Sequence, residues 1–239
     1  EKFKGMEDRI TFVNGNFNDL DTINSLPTDG IDGIIFDLGL SSDQLENSGR
    51  GFSFMKDEPL LMTMKENPGA EDLTASDVVN TWSEESLADI IYGYGEERHA
   101  RKVAKKIAEA RENGEIKTTF DLVKIIENAI SKGREARGRR KIHPATKTFQ
   151  ALRIAVNDEL GVLKAGLEKG FNKLKAGGRM SVISFHSLED RIAKKFYKTL
   201  QKEGRAKLIN KKTIKASDEE LKNNPRSRSA KLRILEKIK

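Results

Sequence analysis

The sequence contains no cysteine, and its three histidines, His99, His143 and His186, are far apart along the chain. Without cysteine there can be no disulfide and no thiolate metal site. Because isolated histidines lack the spacing of metal-ligand motifs, no metal site is predicted. No apolar run approaches the roughly 20 residues of a membrane-spanning helix, and no signal-peptide pattern occurs. We therefore predict a cytoplasmic protein without a membrane partner.

Glycine-rich phosphate-binding loops are also lacking. Neither G-x-G-x-x-G nor a P-loop occurs anywhere in the 239 residues, which argues against a nucleotide-dependent oxidoreductase. What is abundant is positive charge: the net charge is +7 and the isoelectric point is near 9.4. Such a balance suggests a polyanionic partner, although many basic proteins bind none.

One short apolar run organises the chain. Ile34-Ile-Phe36 follows a Gly30-Ile-Asp-Gly33 turn and leads directly into Asp37 and Gly39. This pattern predicts a strand buried on both faces, in an α/β protein. Because ligands of open α/β sheets bind at the carboxyl ends of the strands, Asp37 is a candidate site residue. The alternative is a capped turn in which Asp37 accepts hydrogen bonds from local N–H groups.

Other segments predict strands and helices around this run. Strands are expected at Ile10–Val13, Arg179–Phe185, Ala206–Ile209 and Leu232–Leu235. Glycines and prolines from Gly49 to Gly69 predict a long ordered loop. From about Leu73 to Lys132 the apolar spacing is helical only, with capping patterns at Thr74, Ser83 and Thr118. We predict an all-helical domain at 46–141, inserted into an α/β domain made of 1–45 and 142–239.

Basic and polar residues suggest where an anionic partner binds. Six of the ten residues from Lys132 to Lys141 are basic, including Arg139 and Arg140; the run is either a solvated loop or a tether for phosphates. A long helix is expected from His143 to about Leu174, and near its start Thr146, Gln150, Arg153 and Asn157 recur at helical spacing. This polar row faces either a cleft or solvent.

His186 follows the Arg179–Phe185 strand and so joins Asp37 as a candidate at a strand's carboxyl end. Ser187 and Asp190 are predicted to cap the next helix reciprocally, and are therefore interpreted as structural. Arg226 and Arg228 lie in a second basic loop before the last strand.

Four long motifs resemble the MraW/RsmH family of S-adenosylmethionine-dependent methyltransferases. They are Phe36-Asp-Leu-Gly-Leu-Ser-Ser-Asp-Gln-Leu45, Arg50-Gly-Phe-Ser-Phe-Met55, His143-Pro-Ala-Thr-Lys-Thr-Phe-Gln-Ala-Leu-Arg-Ile154 and Ser184-Phe-His-Ser-Leu-Glu-Asp-Arg191. Tyr94-Gly-Glu-Glu-Arg98 and Asn224-Pro-Arg-Ser-Arg-Ser-Ala-Lys-Leu-Arg233 add to the match, which covers nearly the whole chain. The resemblance implies a Rossmann-like class I methyltransferase sheet with the helical domain inserted as a substrate-binding domain. It also implies methylation of the N4 amine of a cytidine in small-subunit ribosomal RNA.

The resemblance assigns residues to roles. Phe17, Asp37 and Gln44 match positions that contact S-adenosylmethionine, and Asp37, Ser41, Ser42 and His186 are expected at the catalytic centre. Expected contacts to the RNA, or to the small ribosomal subunit, come from Lys147, Gln150, Arg153, Asn157, Arg139, Arg140, Arg226 and Arg228. The oligomeric state is left open, with a homodimer among the options.

Two departures from the family pattern qualify these expectations. The family's glycine-rich cofactor loop and its central first strands are expected before Glu1, so these 239 residues alone are expected to be inactive and to expose the Gly30–Phe36 strand as an unpaired edge. Leu61 and Thr63 stand where the family commonly has Asp and Arg. The main alternative is a non-catalytic RNA-binding or ribosome-assembly factor derived from a methyltransferase.

Overall fold

The computed structural model describes residues 5–131 and 142–239, which form a mixed α/β protein with a four-stranded sheet. The strands are β1 Ile31–Asp37, β2 Leu174–Ser184, β3 Ala206–Leu208 and β4 Lys231–Lys237. The α-helices within the described ranges are α1 Ser42–Asn47, α2 Ala75–Thr81, α3 Glu84–Gly93, α4 Ala100–Arg111, α5 Thr119–Ser131, α6 Ala145–Asn157, α7 Glu159–Lys173, α8 Ser187–Lys202 and α9 Asp218–Asn223. Short 3₁₀ helices cover Glu7–Arg9, Phe17–Asp19 and Pro225–Ser229.

The described residues divide into two compact units. An α/β unit comprises 5–39 and 160–239, and a helical unit comprises 40–131 and 142–159. The breaks fall after residues 39 and 159, whereas the sequence predicted breaks after 45 and 141. Helix α6 belongs to the helical unit because it packs against α2, α3 and α5.

The sheet has the order β1-β2-β4-β3. Strand β1 pairs with β2 in parallel, with Phe36 opposite Val182, while β4 runs antiparallel to both β2 and β3. Among the described residues β1 is an edge strand. The predicted strand at Ile10–Val13 is wrong: these residues pair with no described strand, and the Phe12 side chain is 79% exposed.

Only one face of the sheet is covered within the α/β unit. Phe36, Met180, Val182 and Leu235 are buried on that face with residues of α7 and α8. On the opposite face Ile35 is 71% exposed. The prediction that this strand is buried on both faces is therefore wrong, because α7 and α8 pack on the same side.

Helices α6 and α7 replace the single long helix that the sequence predicted. The chain breaks at Asp158, which has a left-handed backbone with φ of 44°. Aspartate tolerates this conformation better than most residues because its short polar side chain can form local hydrogen bonds. The apolar periodicity continues across the break, so it gave no indication of two helices.

The capping residues of the helical unit are those that the sequence predicted. Thr74 and Asp77 form a reciprocal capping box at α2, Ser83 caps α3, and Thr118 exchanges hydrogen bonds with Asp121 at the start of α5. The core of this unit is formed by the apolar faces of α2 to α6, which share one buried cluster. None of the helices in the described ranges is long and apolar enough to cross a bilayer.

Candidate active site

Asp37 ends β1 at the carboxyl edge of the sheet. It lies opposite Ile183 of the parallel strand β2, and the next residue, Leu38, still donates a backbone hydrogen bond to Ile183 O at 3.1 Å. The Asp37 side chain is exposed, and within the described ranges its carboxylate makes no hydrogen bond or ion pair. The local-cap interpretation of Asp37 therefore finds no support. Gly39 turns the chain with φ of 90°, a conformation that favours glycine.

His186 lies at the carboxyl end of β2, at the same edge of the sheet, and its ring caps α8. Nδ1 accepts a hydrogen bond from the backbone N–H of Glu189 at 3.4 Å, and Nε2 lies 3.1 Å from Oε1 of Glu189. The second approach is close enough for an ion pair but is not aligned as a hydrogen bond. Both ring nitrogens thus face Glu189.

The predicted cap by Ser187 and Asp190 is wrong by one residue. Glu189 is the reciprocal partner: Oε2 accepts hydrogen bonds from the backbone N–H groups of Phe185 and His186 at 2.8 and 3.2 Å. Burial raises the pKa of the Glu189 carboxyl, but its interaction with His186 and these two N–H groups lowers the pKa by more. Glu189 is therefore held as a buried carboxylate.

Asp190 instead ties α8 to β4. Its carboxylate accepts two hydrogen bonds from the Arg233 guanidinium, at 2.7 and 3.2 Å, and Lys231 Nζ lies 3.6 Å away. Burial raises the pKa of Asp190, but Arg233 and Lys231 lower it below its ordinary range. The contact fixes the start of α8, and with it His186, on the sheet.

Phe17 lies on the α/β unit beside β1. Its half-buried ring meets the Phe36 ring edge to face at a centroid distance of 5.4 Å. It also rests on α7 at Gly166, where an added Cβ would lie 2.4 Å from Cδ2 of Phe17. Gly166 thus allows the ring to reach the sheet.

Ser41 and Gln44 form a capping box in the helical unit. Ser41 Oγ accepts a hydrogen bond from Gln44 N–H at 3.1 Å, and Gln44 Oε1 accepts one from Ser41 N–H at 3.0 Å. Ser42 is the first residue of α1 and is exposed. The box fixes the first turn of α1.

The α6 residues that were predicted to contact RNA, namely Lys147 and members of the polar row, make contacts inside the helical unit. Lys147 Nζ donates to Glu96 O at 2.6 Å, and Gln150 Nε2 donates to Tyr94 O at 2.8 Å. Arg153 forms a two-point ion pair with Glu159 at 2.7 and 3.0 Å. These contacts hold the three side chains within the helical unit. Each therefore has a structural role in addition to any role in RNA binding.

Asn157, the last residue of the row, holds the long loop between α1 and α2. Its amide donates to Met62 O at 2.8 Å and accepts from Met64 N–H at 2.7 Å. Met62 between these contacts is fully buried and has a left-handed backbone with φ of 51°. The Arg50 guanidinium braces the same loop by donating to the carbonyls of Thr63, Met64 and Lys65 at 3.0, 2.9 and 2.7 Å.

The two positions that depart from the family pattern lie in this loop. Leu61 is half-buried and Thr63 is buried, with its hydroxyl accepting a hydrogen bond from Lys65 N–H at 3.3 Å. The loop is thus closed by its own backbone contacts and by Arg50 and Asn157.

The remaining predicted RNA contacts lie elsewhere. Arg226 and Arg228 are exposed on the short 3₁₀ helix before β4. Arg139 and Arg140, with the rest of the basic run, lie outside the described residues.

Comparison with known proteins identifies the family. The sequence profile of the MraW methylase family matches residues 1–238. The chain belongs to the MraW methylase family. It is 47% identical over 238 residues to the ribosomal RNA small subunit methyltransferase H of Coprothermobacter proteolyticus, covering 99% of this chain and 76% of the relative. Proteins of the same name from a Paenibacillus species and from Clostridium botulinum are 44% and 46% identical, with 97% and 100% of this chain and 78% and 80% of each relative aligned.

In this MraW methylase, sequence reasoning missed two residues that hold a candidate residue or the long loop in place. Glu189 was not singled out, although its spacing of three from His186 is that of a capping box. Arg50 was noted only as part of a motif. The three carbonyl groups that it contacts lie 13 to 15 residues further along the chain, and no local sequence pattern indicates contacts over that separation.

Proposed function

We propose that this chain transfers a methyl group from S-adenosylmethionine to the N4 amine of a cytidine in small-subunit ribosomal RNA. Membership of the MraW methylase family and the names of the aligned relatives support this reaction class. The structural observation that carries the proposal is the exposed Asp37 carboxylate, which has no partner among the described residues, at the carboxyl end of a parallel strand. Ligands of open α/β sheets bind at such ends.

The residues present in the α/β unit fit this cofactor. S-adenosylmethionine carries hydroxyl and ammonium donors, for which a free carboxylate is the matching acceptor, and an adenine ring, which packs on aromatic side chains. Asp37 supplies the acceptor, and the half-buried Phe17 ring supplies an aromatic surface. We assign Asp37 and Phe17 to the cofactor, with Gln44 as the third residue that the family motif implies.

The chemistry demands orientation more than strong acid or base catalysis. The bound cofactor supplies an electrophilic methyl group on a sulfonium. The cytosine amine is a weak nucleophile because its lone pair is delocalised into the ring. The protein must therefore hold the amine in line with the methyl carbon and accept its hydrogen bonds. We assign Ser41, Ser42 and His186 to shaping this nucleotide site.

The target base must leave its stack to reach a pocket in the protein. We propose that the helical unit is the inserted substrate-binding domain of a Rossmann-like methyltransferase. We assign its α6 residues Lys147, Gln150, Arg153 and Asn157 to contacts with the RNA. Basic residues hold the phosphate backbone without reading sequence. These are Arg139, Arg140, Arg226 and Arg228.

Asp37→Ala tests the proposal. Mass spectrometry of small-subunit ribosomal RNA from cells with and without the gene should show an N4-methylated cytidine that depends on the gene. A gene carrying Asp37→Ala should fail to restore it, because the cofactor loses its carboxylate partner. Asp32→Ala is the matched control: it lies on the same strand with its side chain 91% exposed, and should restore methylation. Gene-independent methylation would refute the reaction, and full restoration by Asp37→Ala would remove Asp37 from the site.

A further inference from the structure

Helix α8 carries a row of lysines that neither the family motifs nor the predicted RNA contacts include. Lys194, Lys195, Lys198 and Lys202 are all exposed. Lys194, Lys198 and Lys202 recur at steps of four and Lys195 lies three residues before Lys198, so the four lie along one side of the helix. We call them the α8 basic stripe. They line a shallow open groove together with Arg191 and Thr199.

The charges of the stripe have no carboxylate partners in the part of the chain that the structure describes. Within the described ranges, none of its four lysines forms an ion pair. Four other basic side chains of the same unit are matched with carboxylates: Lys169 with Asp21 at 2.7 Å, Lys175 with Asp29 at 3.1 Å, Arg179 with Glu236 at 3.0 Å and Arg233 with Asp190 at 2.7 Å. Like charges at these helical spacings repel one another. The stripe therefore favours an external anion that would relieve this repulsion.

The stripe is also held on a rigid support. The opposite face of α8 is buried in the core of the α/β unit through Leu188, Ala193, Tyr197 and Leu200. The Tyr197 hydroxyl donates to Met180 O of β2 at 3.0 Å, and Asp190 is held by Arg233. From Lys194 to Lys202 the stripe extends about 12 Å at 1.5 Å per residue. A nucleic-acid strand carries several phosphates over that length, since each strand of a DNA duplex has one per about 3.4 Å.

We propose that the α8 basic stripe binds the phosphate backbone of the ribosomal RNA substrate. The inference rests on the proposed function and adds a contact surface to it. A row of point charges on flexible stems suits phosphates, because lysine ammonium groups need no fixed geometry to neutralise them. Binding here is independent of sequence, so it contributes affinity and register and does not select the methylated base.

The test is the salt dependence of RNA binding by the full chain. Fluorescence anisotropy would follow binding to a small-subunit ribosomal RNA transcript at increasing salt, for wild type and for Lys194→Gln/Lys195→Gln/Lys198→Gln/Lys202→Gln. If the variant loses four lysine–phosphate contacts, the slope of log K against log salt should become less steep by about 3. Between about 50 and 200 mM salt, the decrease in the affinity of wild type should then be about 50-fold greater than the decrease for the variant. Glutamine has a helix propensity close to that of lysine, and circular dichroism checks that α8 remains folded.

Two further variants make the result specific. The Lys→Arg version of the same four changes keeps the charges and should keep the wild-type slope. Lys164→Gln/Lys211→Gln/Lys215→Gln/Lys222→Gln removes the same charge from exposed positions scattered over the same unit, and should change the slope by less than the stripe variant.

An unchanged slope in the stripe variant, or an equal change in the scattered variant, would overturn the proposal. So would wild-type binding to phosphatidylserine vesicles without binding to RNA. If methylation depends on the gene but the stripe variant binds RNA with the wild-type salt dependence, the proposed role of the stripe is refuted and the proposed reaction stands. If gene-dependent methylation is absent, the reaction itself fails.

Discussion

The Glu189 carboxylate stabilises the start of α8 by accepting hydrogen bonds from two backbone N–H groups and by facing both nitrogens of His186. It is 3% exposed. A buried acceptor of this kind is costly to weaken, because its partly buried N–H partners would lose a charged hydrogen-bond acceptor. The same arrangement fixes the ring of His186 at the edge of the sheet where Asp37 lies.

Glu189→Gln should lower the free energy of unfolding by about 1–3 kcal/mol at neutral pH, because the charged acceptor is lost. The pKa of Glu189 is lowered in the folded protein from 4.5. Its contribution is therefore complete above pH 4.5 and is lost as the pH falls through the folded-state pKa. Urea unfolding at a series of pH values should show the gap between wild type and variant closing below that pH.

Glu203→Gln is the matched control. Its carboxylate is 47% exposed and pairs with Arg205 at 3.2 Å, so the change should stay within about 0.5 kcal/mol. A gap between wild type and Glu189→Gln that stayed constant into acid would show that the charge of Glu189 is not what stabilises the cap.

At the scale of single elements, α7 shows how glycine allows close packing. An added Cβ at Gly170 would lie 3.0 Å from both Ile34 and Phe36 of β1, and one at Gly166 would lie 2.4 Å from Phe17. Alanine would otherwise favour a helix by about 1 kcal/mol over glycine. The two glycines therefore lower the helix propensity of α7 but allow β1 and the Phe17 ring to pack closely against it.

Gly166→Ala should destabilise the protein by about 1–3 kcal/mol, because the new methyl group displaces Phe17 from Phe36. In a Phe17→Ala background the same change should instead stabilise by up to about 1 kcal/mol, because only the helix propensity remains. A double-mutant cycle measured by urea unfolding gives the coupling directly.

Gly93→Ala serves as the reference for helix propensity, since nothing lies within 4 Å of the added Cβ and the residue ends α3. Its effect should not depend on Phe17. Equal effects of Gly166→Ala in both backgrounds would disprove the packing account.

At the scale of the whole molecule, the sheet edge formed by β1 is a candidate surface for self-association. Among the described residues β1 pairs with β2 alone, so its outer backbone groups have no strand partner. Ile35 on this strand is 71% exposed. Exposed apolar edge strands are templates for pairing with another chain.

Ile35→Lys should reduce concentration-dependent self-association of the 239-residue chain, because charged residues on an edge strand oppose pairing. Stability should change by no more than about 0.5 kcal/mol, since the side chain is mostly exposed. Light scattering over a range of protein concentrations measures the effect.

Met55→Lys is the comparison variant, because Met55 is 75% exposed but lies in a loop. It should alter self-association less than Ile35→Lys does. If both substitutions act equally, general surface apolarity explains the association and the edge strand does not.

Much of the local structure could be predicted from the sequence. The caps at Thr74, Ser83 and Thr118 were predicted correctly because each joins a side chain to a backbone group three residues away. The strand ending in Asp37 was predicted from a short apolar run beside glycine, and the family from motifs that span the chain. Each cap, strand pattern and motif is contained in one short stretch of the sequence.

The sequence by itself thus determined most of the elements, the family and the position of Asp37 at a strand's carboxyl end. Only the tertiary structure decided that α6 and α7 separate at Asp158, that His186 and not Ser187 caps α8, and that Ile35 faces away from the core. It also decided the partners of Gln150 and Asn157, which lie 56 and 93–95 residues away along the chain. The physical reason is that burial and hydrogen-bond partners depend on which distant segments pack together, and no local spacing contains that information.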